Sequence, residues 1–495
     1  MVIVPVPAIN QQLTDLVDSG SVLPEESLAG YAVDEVMPRA VVRPQSRQEI
    51  VDVIRWAASE GVAVFPWGGG TQVCIGGLPG RVDLVLDLSR YDRVIDYQPA
   101  DLTATVEAGI SLDSLQQELA KGGKFLAIEA PVPAKATVGG ILASNASGPL
   151  RFGYGLPRDW LIGIGVVNAQ GVETKAGGKV VKNVTGYDLG KLYTGSMGTL
   201  GIILEATFKL IPLPVDSSAL VAVFPSMESA IDAGSQLLRQ VYAPHGLQVV
   251  NSSMSQRLSL SMAVGELGSD SATGEPSQEA VMLAFFSGRV RAVRRKLSEA
   301  SRLIQGQGAA RVEEISGPQG SGLLRQLTDV GWNSEDPPFL SIKVNVSPSM
   351  VGQVVGWFDQ PSSEELSGGG RYAQIPQGPS DLPPEIVADP GFGLVRFHWW
   401  SGAVHSGQGS AAALSSDEGW LGRFDEPHLI DVVGRVQALG RELGGSVVVE
   451  HASPALKRRV EVWGDPPVGL GIMRNIKQKF DPAGILNPGR FVGGM

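Results

Sequence analysis

Residues 65–72, Phe-Pro-Trp-Gly-Gly-Gly-Thr-Gln, contain the residue types from which proteins build an anion-binding loop. They follow residues 62–65, an apolar run that predicts a buried strand. Gly68, Gly69 and Gly70 allow main-chain N–H groups to turn toward an anion and allow a phosphate to approach the backbone closely. A simple glycine-rich turn is the alternative interpretation of such a run. The segment therefore predicts a phosphate site only with support from elsewhere in the chain.

A second segment, residues 136–148, supplies that support. Thr137 is placed to cap a short helix whose free N–H groups would face a phosphate. Paired glycines and small side chains follow, and they leave room for a flat, bulky group against the backbone. Close packing of a helix on a strand selects small residues too, so both interpretations stay open.

A third segment, residues 181–202, places Gly195, Gly198 and Gly201 before a predicted strand. Glycines at such an entry favour a ligand pressed against the backbone. Two common nucleotide folds are disfavoured, because neither the P-loop pattern G-x-x-x-x-G-K-[ST] nor the Rossmann pattern G-x-G-x-x-G occurs. The three segments together predict a dinucleotide site of another kind.

Composition narrows the class of protein further. The net charge of −11 argues against a chain that binds nucleic acid through its phosphates. The single cysteine, Cys74, excludes an internal disulfide and a cysteine-held iron–sulfur cluster in this chain, and it fits a reducing cytoplasm. No apolar run approaches the roughly 20 residues that cross a bilayer, and the first residues lack the basic start of a secretion signal. We therefore expect a cytoplasmic protein without a membrane span.

The elements that must position these loops can be predicted from periodicity. Ser46 and Glu49 form a capping box at the start of an amphipathic helix. In the first half we predict strands at 84–88, 103–108 and 201–211, a helix at 112–121 and a hairpin over 161–175. In the second half, the order strand, helix, strand occurs at 220–250 and again at 281–315. The fold class is therefore α+β, with a ferredoxin-like antiparallel sheet that carries helices on one face.

These elements predict a division of the chain into four parts. Residues 1–35 form an N-terminal helical segment, and residues 36–214 form the cofactor domain. Residues 215–445 form a substrate or cap domain with insertions near 265–278 and 360–393, both rich in small or polar residues. Residues 446–495 form a C-terminal segment.

The three glycine segments, in this order and spacing, resemble the FAD-binding domain of the vanillyl-alcohol oxidase and p-cresol methylhydroxylase superfamily. The resemblance covers about residues 36–214, and it resumes at residues 480–490, Phe-Asp-Pro-Ala-Gly-Ile-Leu-Asn-Pro-Gly-Arg. Within the superfamily, residues 156–159 and 182–188 are similar to the glycolate oxidase E-subunit family. The resemblance implies a two-subdomain FAD-binding domain and a C-terminal segment that returns to the flavin.

The resemblance also implies which residues contact FAD. It places the pyrophosphate on residues 68–72. The full set of expected cofactor contacts is Trp67, Gly68, Gly69, Gly70, Thr71, Gln72, Thr137, Gly139, Gly140, Ser144, Gly201, Ile202 and Asn487. Some relatives attach FAD through a histidine of this domain, whereas the histidines of this chain all lie outside it. Non-covalent FAD is therefore expected.

Catalysis on a 2-hydroxy acid requires a cation for the carboxylate and a base for the hydroxyl proton. Arg325 and Lys343 are similar to carboxylate-binding positions of related hydroxy-acid dehydrogenases, and His451 is the candidate base. A solvated helix arginine and an edge-strand lysine are the alternative interpretations of the two cations.

A metal site is a further candidate, because relatives place two metal-binding histidines seven residues apart and then a Glu-His pair. His398, His405 and Glu450 have that spacing. The Gly-Asp-Gly-Asn that relatives place between the histidines is missing, and Trp399 and Trp400 stand there instead. We therefore expect no metal, with these three residues as the only candidates.

Altered substrate-side motifs beside complete FAD segments favour an FAD-binding subunit of a glycolate (2-hydroxy acid) oxidase or dehydrogenase complex. A D-like flavoprotein and an F-like iron–sulfur subunit would be its partners. The alternatives are a self-sufficient FAD-linked D-2-hydroxy acid dehydrogenase or oxidase, and a non-catalytic assembly subunit that keeps only the fold.

Overall fold

The structure is a computed structural model that describes residues 6–18, 20–179, 187–260, 278–332, 336–359, 383–400 and 426–495. The chain forms two compact units. Unit 1 comprises Met1–Gly148, Gly155–Leu213 and Pro466–Met495, and unit 2 comprises Pro149–Tyr154 and Pro214–Asp465. The predicted insertion near 265–278 and the greater part of the one near 360–393 lie outside the described residues.

Unit 1 contains two main sheets and the helices that cover them. Its strands are β1 (Ala40–Val42), β2 (Val64–Trp67), β3 (Leu84–Asp87), β4 (Val94–Gln98), β5 (Thr103–Glu107), β6 (Lys124–Phe125), β7 (Leu161–Val167), β8 (Glu173–Gly177), β9 (Ile202–Lys209) and β10 (Ile211–Pro212). Its helices are α1 (Val6–Thr14), α2 (Arg47–Glu60), α3 (Leu112–Lys121), α4 (Val138–Ser144), α6 (Pro157–Trp160), α7 (Leu189–Tyr193) and α15 (Leu470–Phe480). Short helix α5 (Arg151–Tyr154) belongs to unit 2.

The smaller sheet of unit 1 is parallel, in the order β1-β3-β2, and the larger one is antiparallel, in the order β4-β5-β9-β7-β8. Helix α2 begins at the predicted capping box of Ser46 and Glu49 and ends at Gly61, which is left-handed with φ +64°. Its apolar face packs into the core of the parallel sheet, where Ile485 and Leu486 of the C-terminal segment are also buried. The loop that follows β2 is therefore held between a helix-backed sheet and the end of the chain.

Unit 2 is built on one sheet with the strand order β14-β11-β13-β12-β16-β17-β15-β18. Its strands are β11 (Asp216–Phe224), β12 (Gly246–Asn251), β13 (Ala280–Gly288), β14 (Arg311–Ser316), β15 (Leu340–Asn345), β16 (Glu385–Asp389), β17 (Leu394–Trp399) and β18 (Ser446–His451), and neighbouring strands are antiparallel. Its further helices are α8 (Met227–Leu238), α9 (Ser252–Arg257), α10 (Val290–Gly306), α11 (Pro318–Asp329), α12 (Val351–Asp359), α13 (Glu426–Glu442) and α14 (Pro454–Lys457).

The two faces of the unit 2 sheet differ in chemistry because successive side chains of a strand point to opposite faces. One face is apolar along its whole width and packs against α8, α10, α12 and α13. The other face is apolar where α9 and α11 cover it, around Val221, Leu283 and Leu327. Over β16, β17, β15 and β18 most of the alternating positions are instead charged or polar, among them Lys343, Arg396 and Glu450, and we call this the polar face. In the described part of the chain, no helix has both the length and the apolar character needed to cross a membrane.

Candidate functional site

Two neighbouring cavities lie in unit 1, around the loop after β2. The first is lined by residues 68–73, by α4 and by Asn487 and Arg490 of the C-terminal segment. The second shares Gly68, Thr137 and Met197 with the first. Every cofactor residue expected from the sequence lines one of the two, namely Trp67, Gly68, Gly69, Gly70, Thr71, Gln72, Thr137, Gly139, Gly140, Ser144, Gly201, Ile202 and Asn487. The structure thus brings the separate segments together, and contact of each residue with a cofactor stays a prediction.

The loop itself presents unpaired main-chain donors. Within the described residues, the N–H groups of Gly69, Gly70, Thr71 and Gln72 donate no hydrogen bond to the protein, although these residues line the first cavity. Backbone donors in folded proteins are almost always paired with protein, water or ligand. Consecutive amides without a protein partner in a cavity wall are suited to binding an anion. The arrangement can bind the phosphates of a nucleotide.

Two of the glycines serve a different purpose from the one expected. A Cβ atom at Gly69 would lie 1.7 Å from the Lys135 carbonyl oxygen, and one at Gly68 would lie 2.1 Å from Thr137 Oγ1. These glycines therefore allow the loop to pack against the segment that leads into α4. Their effect on a ligand is indirect, because they set the separation of two cavity walls.

Helix α4 corrects one expectation. Thr137 caps it as predicted, since its side chain accepts the Gly140 N–H at 3.3 Å. The next amides are not free, however, because Val138 N–H donates to Ile110 O and Gly139 N–H donates to Ala108 O. The prediction of free N–H groups at this helix terminus was therefore wrong, and the unpaired amides lie in the loop after β2 instead.

The C-terminal segment closes the first cavity through Asn487. Its main-chain N–H donates to Val64 O in β2 at 2.9 Å, and its side-chain Nδ2 donates to Met197 O at 2.6 Å. The Asn487 Oδ1 atom is buried and accepts no hydrogen bond within the described residues. An orphaned buried acceptor in a cavity wall is suited to a ligand donor.

On the polar face of unit 2, Glu450 lies between two cations. Lys343 Nζ is 3.0 Å from Glu450 Oε1, and Arg396 Nε is 2.8 Å from Glu450 Oε2. Burial raises the pKa of Glu450. The charges and hydrogen bonds of Arg396 and Lys343 lower it by a larger amount, so the pKa lies well below its usual range. Two cations share one carboxylate, and the cluster keeps a net positive charge. Such a cluster can bind a carboxylate.

The candidate metal ligands are not assembled into a metal site by the described residues. Glu450 has both oxygen atoms occupied by cations, as shown above. His398 is buried; its Nδ1 is 3.1 Å from Ser341 Oγ, and burial lowers its pKa to about 3. His405 lies outside the described residues. His451, the candidate base, makes an edge contact with Trp332 at 5.6 Å between ring centroids.

The two predicted carboxylate-binding cations lie on different elements. Lys343 is in β15, next to Glu450, with its side chain 25% exposed. Arg325 is exposed on α11, a helix that packs against β11 and β14. The cation that lies beside Lys343 at Glu450 is Arg396, which the sequence reasoning missed, and not Arg325. The binding of a carboxylate by Lys343 or Arg325 stays a prediction. Arg396 and His398 are two residues apart in one strand, so their side chains lie on the same face of the sheet. This spacing could have indicated Arg396, but the sequence does not show which strands lie beside it.

Comparisons with known proteins agree with this geometry. Residues 38–177 match the family described as FAD binding domain, and residues 425–491 match the C-terminal domain of FAD linked oxidases. Glycolate oxidase subunit GlcD of Bacillus subtilis is 26% identical over 459 residues, which cover 92% of this chain and 89% of that protein. D-2-hydroxyglutarate dehydrogenase of Xanthomonas citri pv. viticola is also 26% identical, over 467 residues, with the same coverage.

Solved structures show the same fold. Alkyldihydroxyacetonephosphate synthase superposes with a TM-score of 0.67 at 17% identity, over 99% of this chain and 88% of that chain. Substrate-bound p-cresol methylhydroxylase superposes with a TM-score of 0.63 at 16% identity, over 97% of this chain and 95% of that chain. The α+β fold predicted from the sequence is confirmed.

The cavities, the unpaired amides and the matched domains define an FAD-dependent oxidoreductase with the fold of p-cresol methylhydroxylase. Within that class, the chain is related to FAD-linked oxidases and dehydrogenases of 2-hydroxy acids. The residues of unit 1 fit FAD, since four free amides suit its pyrophosphate and the walls near Met197 and Ala143 are apolar.

Proposed function

We propose that this chain is the FAD-binding subunit of a complex that oxidises a short 2-hydroxy acid and passes the electrons to partner subunits. The observation that carries the proposal is the run of four unpaired main-chain amides at residues 69–72 in a cavity wall. FAD, when bound, supplies a two-electron acceptor. The protein supplies binding, orientation and charge.

Residues of unit 1 hold the cofactor in this proposal. The amides of Gly69, Gly70, Thr71 and Gln72 donate to the pyrophosphate oxygens, and Asn487 Oδ1 accepts from the ligand. Neither cavity is lined by a histidine, cysteine or tyrosine within the described residues. In this proposal the cofactor is held non-covalently.

Residues of unit 2 hold the substrate. Lys343 and Arg396 bind the substrate carboxylate, because together with Glu450 they carry one unit of net positive charge. Glu450 is not the base, since its oxygens are already bonded to both cations. His398 is a weak base, because burial lowers its pKa to about 3. His451 remains the base that accepts the hydroxyl proton.

The substrate class is taken from the relatives, whose names specify glycolate and D-2-hydroxyglutarate. The assignment to a complex is supported by the altered substrate-side motif, in which Trp399 and Trp400 stand where relatives have Gly-Asp-Gly-Asn. One relative is named as a subunit of glycolate oxidase. The partners in this proposal are a D-like flavoprotein and an F-like iron–sulfur subunit.

The proposal is tested by absorbance of the purified chain with FAD, in the absence of air. We expect the chain to bind FAD and its oxidised-flavin band to bleach with glycolate or D-lactate, then to return only when oxidised partner subunits are added. A Lys343→Met variant should bind FAD normally and fail to bleach. Persistence of the band with either hydroxy acid would contradict the proposal, and sustained turnover with a soluble electron acceptor in the absence of partners would identify a self-sufficient dehydrogenase instead. Failure to take up FAD would identify an assembly subunit.

A further inference from the structure

Arg490, near the end of the chain, is almost completely buried although it carries a permanent charge. Its side chain is 1% exposed, and it lines the first cavity. The guanidinium donates to the carbonyl oxygens of Val73, Ile75 and Gly77 and to the carboxylate of Asp34. Burial of a guanidinium costs several kcal/mol unless its donors are satisfied. Four of its N–H donors are satisfied, three of them by one short stretch of loop.

That stretch is the exit of the loop that bears the unpaired amides. The entry of the loop is fixed by β2, which pairs with β3 as far as Trp67 and Asp87. Residues 69–72 lie between these two anchors and donate no amide hydrogen bond within the described residues. The conformation of the free amides therefore depends on the two ends of the loop, and Arg490 holds one of them.

The backbone around Arg490 reinforces the same contact. Gly77 N–H donates to Arg490 O at 3.1 Å, and Gly80 N–H donates to Pro488 O at 3.0 Å. A Cβ atom at Gly76 would lie 2.4 Å from Arg490 O, so the loop and the C-terminal segment pack backbone against backbone. These contacts restrict the backbone conformation of the loop exit.

The C-terminal segment is itself anchored to residues 197–199, of which Met197 lines the cavity. Lys477 Nζ donates to Thr199 O and Leu486 O, each at 2.8 Å, and to the Asp481 carboxylate at 2.6 Å. Asn487 is bonded to Met197 O, as described above. The segment thus connects the loop exit at Val73 with the wall at Met197.

We propose that Arg490 is a positioning residue for the FAD pyrophosphate. Its planar fork holds three carbonyl groups of the loop exit at fixed angles, and this keeps the amides of residues 69–72 in an arrangement that binds phosphate. A lysine has the same charge but presents a compact ammonium group, which cannot replace the fork. The inference depends on FAD binding alone and is independent of the substrate and of any partner.

The test compares Arg490→Lys with the wild type in the full chain, stripped of flavin. Three ligands are titrated: FAD, ADP, which carries the pyrophosphate, and riboflavin, which has no phosphate. We expect the dissociation constants of FAD and ADP to rise by about tenfold or more, the equivalent of one lost charged hydrogen bond, while that of riboflavin changes by less than about twofold. Arg93→Lys, an exposed arginine of unit 1 paired with Glu107, is the matched control and should change none of them.

Two results would overturn the proposal. Unchanged affinity for FAD and ADP would show that the fork does not set the loop. An equal loss for all three ligands would show general destabilisation of unit 1. Should the variant not fold, amide hydrogen exchange of the wild type decides: the amides of residues 69–72 should be protected only when ADP is bound, and those of Gly77 and Gly80 should be protected with or without it. Protection of residues 69–72 without ligand would also contradict the inference.

Discussion

At the scale of the residue, Glu450 shows how neighbours determine what a side chain can do. A buried carboxyl normally loses its charge, because desolvation raises its pKa. Here Arg396 and Lys343 bond to its two oxygens and keep it ionised. The negative charge of Glu450 in turn compensates for the repulsion between the two cations. The three residues act as one charged group with a single net positive charge.

We therefore predict that Glu450→Gln will destabilise unit 2. The amide keeps the shape of the side chain but leaves Lys343 and Arg396 without a counter-ion. The free energy of unfolding should fall by about 3 kcal/mol, the usual cost of breaking a buried ion pair by removing one partner. Urea denaturation at pH 7 measures it. The exposed Glu461 provides the control, since Glu461→Gln should change stability by less than about 0.5 kcal/mol.

Equal stability of the two glutamine variants would contradict this account of the cluster. The same variant has a second consequence, because removal of the carboxylate raises the net charge of the cluster by one unit. Binding of a small carboxylate to unit 2 should therefore become tighter in Glu450→Gln. Weaker binding would show that Glu450 orients the cations for the ligand.

At the scale of the element, much of the fold follows from local sequence. The capping box at Ser46, the left-handed Gly61 and the amphipathic pattern of α2 are local signals, and the helix forms as predicted. Helix α3 and the β7–β8 hairpin also follow from periodicity and turn residues. Strand β4, whose side chains are half-buried or exposed, has weak apolar alternation and was not predicted.

The parts of the candidate site that escaped prediction depend on contacts between distant segments. The amides at the start of α4 are used by Ile110 and Ala108, a pairing that no local pattern specifies. Arg490 was visible within residues 480–490, but its partners at residues 73–77 lie more than 400 positions away in the chain. Arg396, Lys343 and Glu450 lie on β17, β15 and β18, and only the order of these strands in the sheet brings the three residues together.

The polar face of the unit 2 sheet also contains carboxylates paired with arginines. Asp389 in β16 pairs with Arg151 of α5, and Glu385 pairs with Arg257 of α9. Two histidines of unit 2 are kept neutral instead. Burial lowers the pKa of His398 to about 3, and burial together with the Lys296 charge lowers that of His245 to about 4. A neutral buried histidine makes the fold sensitive to acid.

We predict that unit 2 loses stability as the pH falls below about 6.5, the pKa of a histidine in the unfolded chain. At pH values between that pKa and the lower pKa in the folded state, each histidine is protonated in the unfolded chain and neutral in the folded chain. Each histidine then removes up to about 1.4 kcal/mol per pH unit, and above pH 7 it has no effect. Urea denaturation at about pH 7, 5.5 and 4.5 measures the slope.

The variants His398→Asn and His245→Asn isolate the contribution of each ring, because the asparagine oxygen can replace Nδ1 as an acceptor. The slope of stability against pH should become shallower in each variant, whatever the stability at pH 7. The carboxylates of the polar face titrate in both proteins and cancel in the difference. A slope that stays the same would assign the acid sensitivity to other groups.

At the scale of the whole molecule, each unit has its own core, and the candidate cofactor residues all belong to unit 1. Unit 1 is assembled from three separate stretches of chain, the last of which begins at Pro466. It is therefore completed only when the C-terminal segment has returned to β2. A ligand that binds the completed cavity stabilises that unit by mass action.

Calorimetry of the flavin-free chain should consequently show two transitions, of which only one responds to FAD. At free FAD about 100-fold above its dissociation constant, unit 1 gains roughly 2.7 kcal/mol, which raises its transition by roughly 5 to 10 °C for a unit of this size. The transition of unit 2 should stay in place, because none of its described residues lines either cavity. Riboflavin at the same concentration, without phosphates for the amides of residues 69–72, should produce a much smaller shift. A single transition that moves as a whole would show that the two units unfold together, and an equal response to riboflavin would remove the loop after β2 from cofactor recognition.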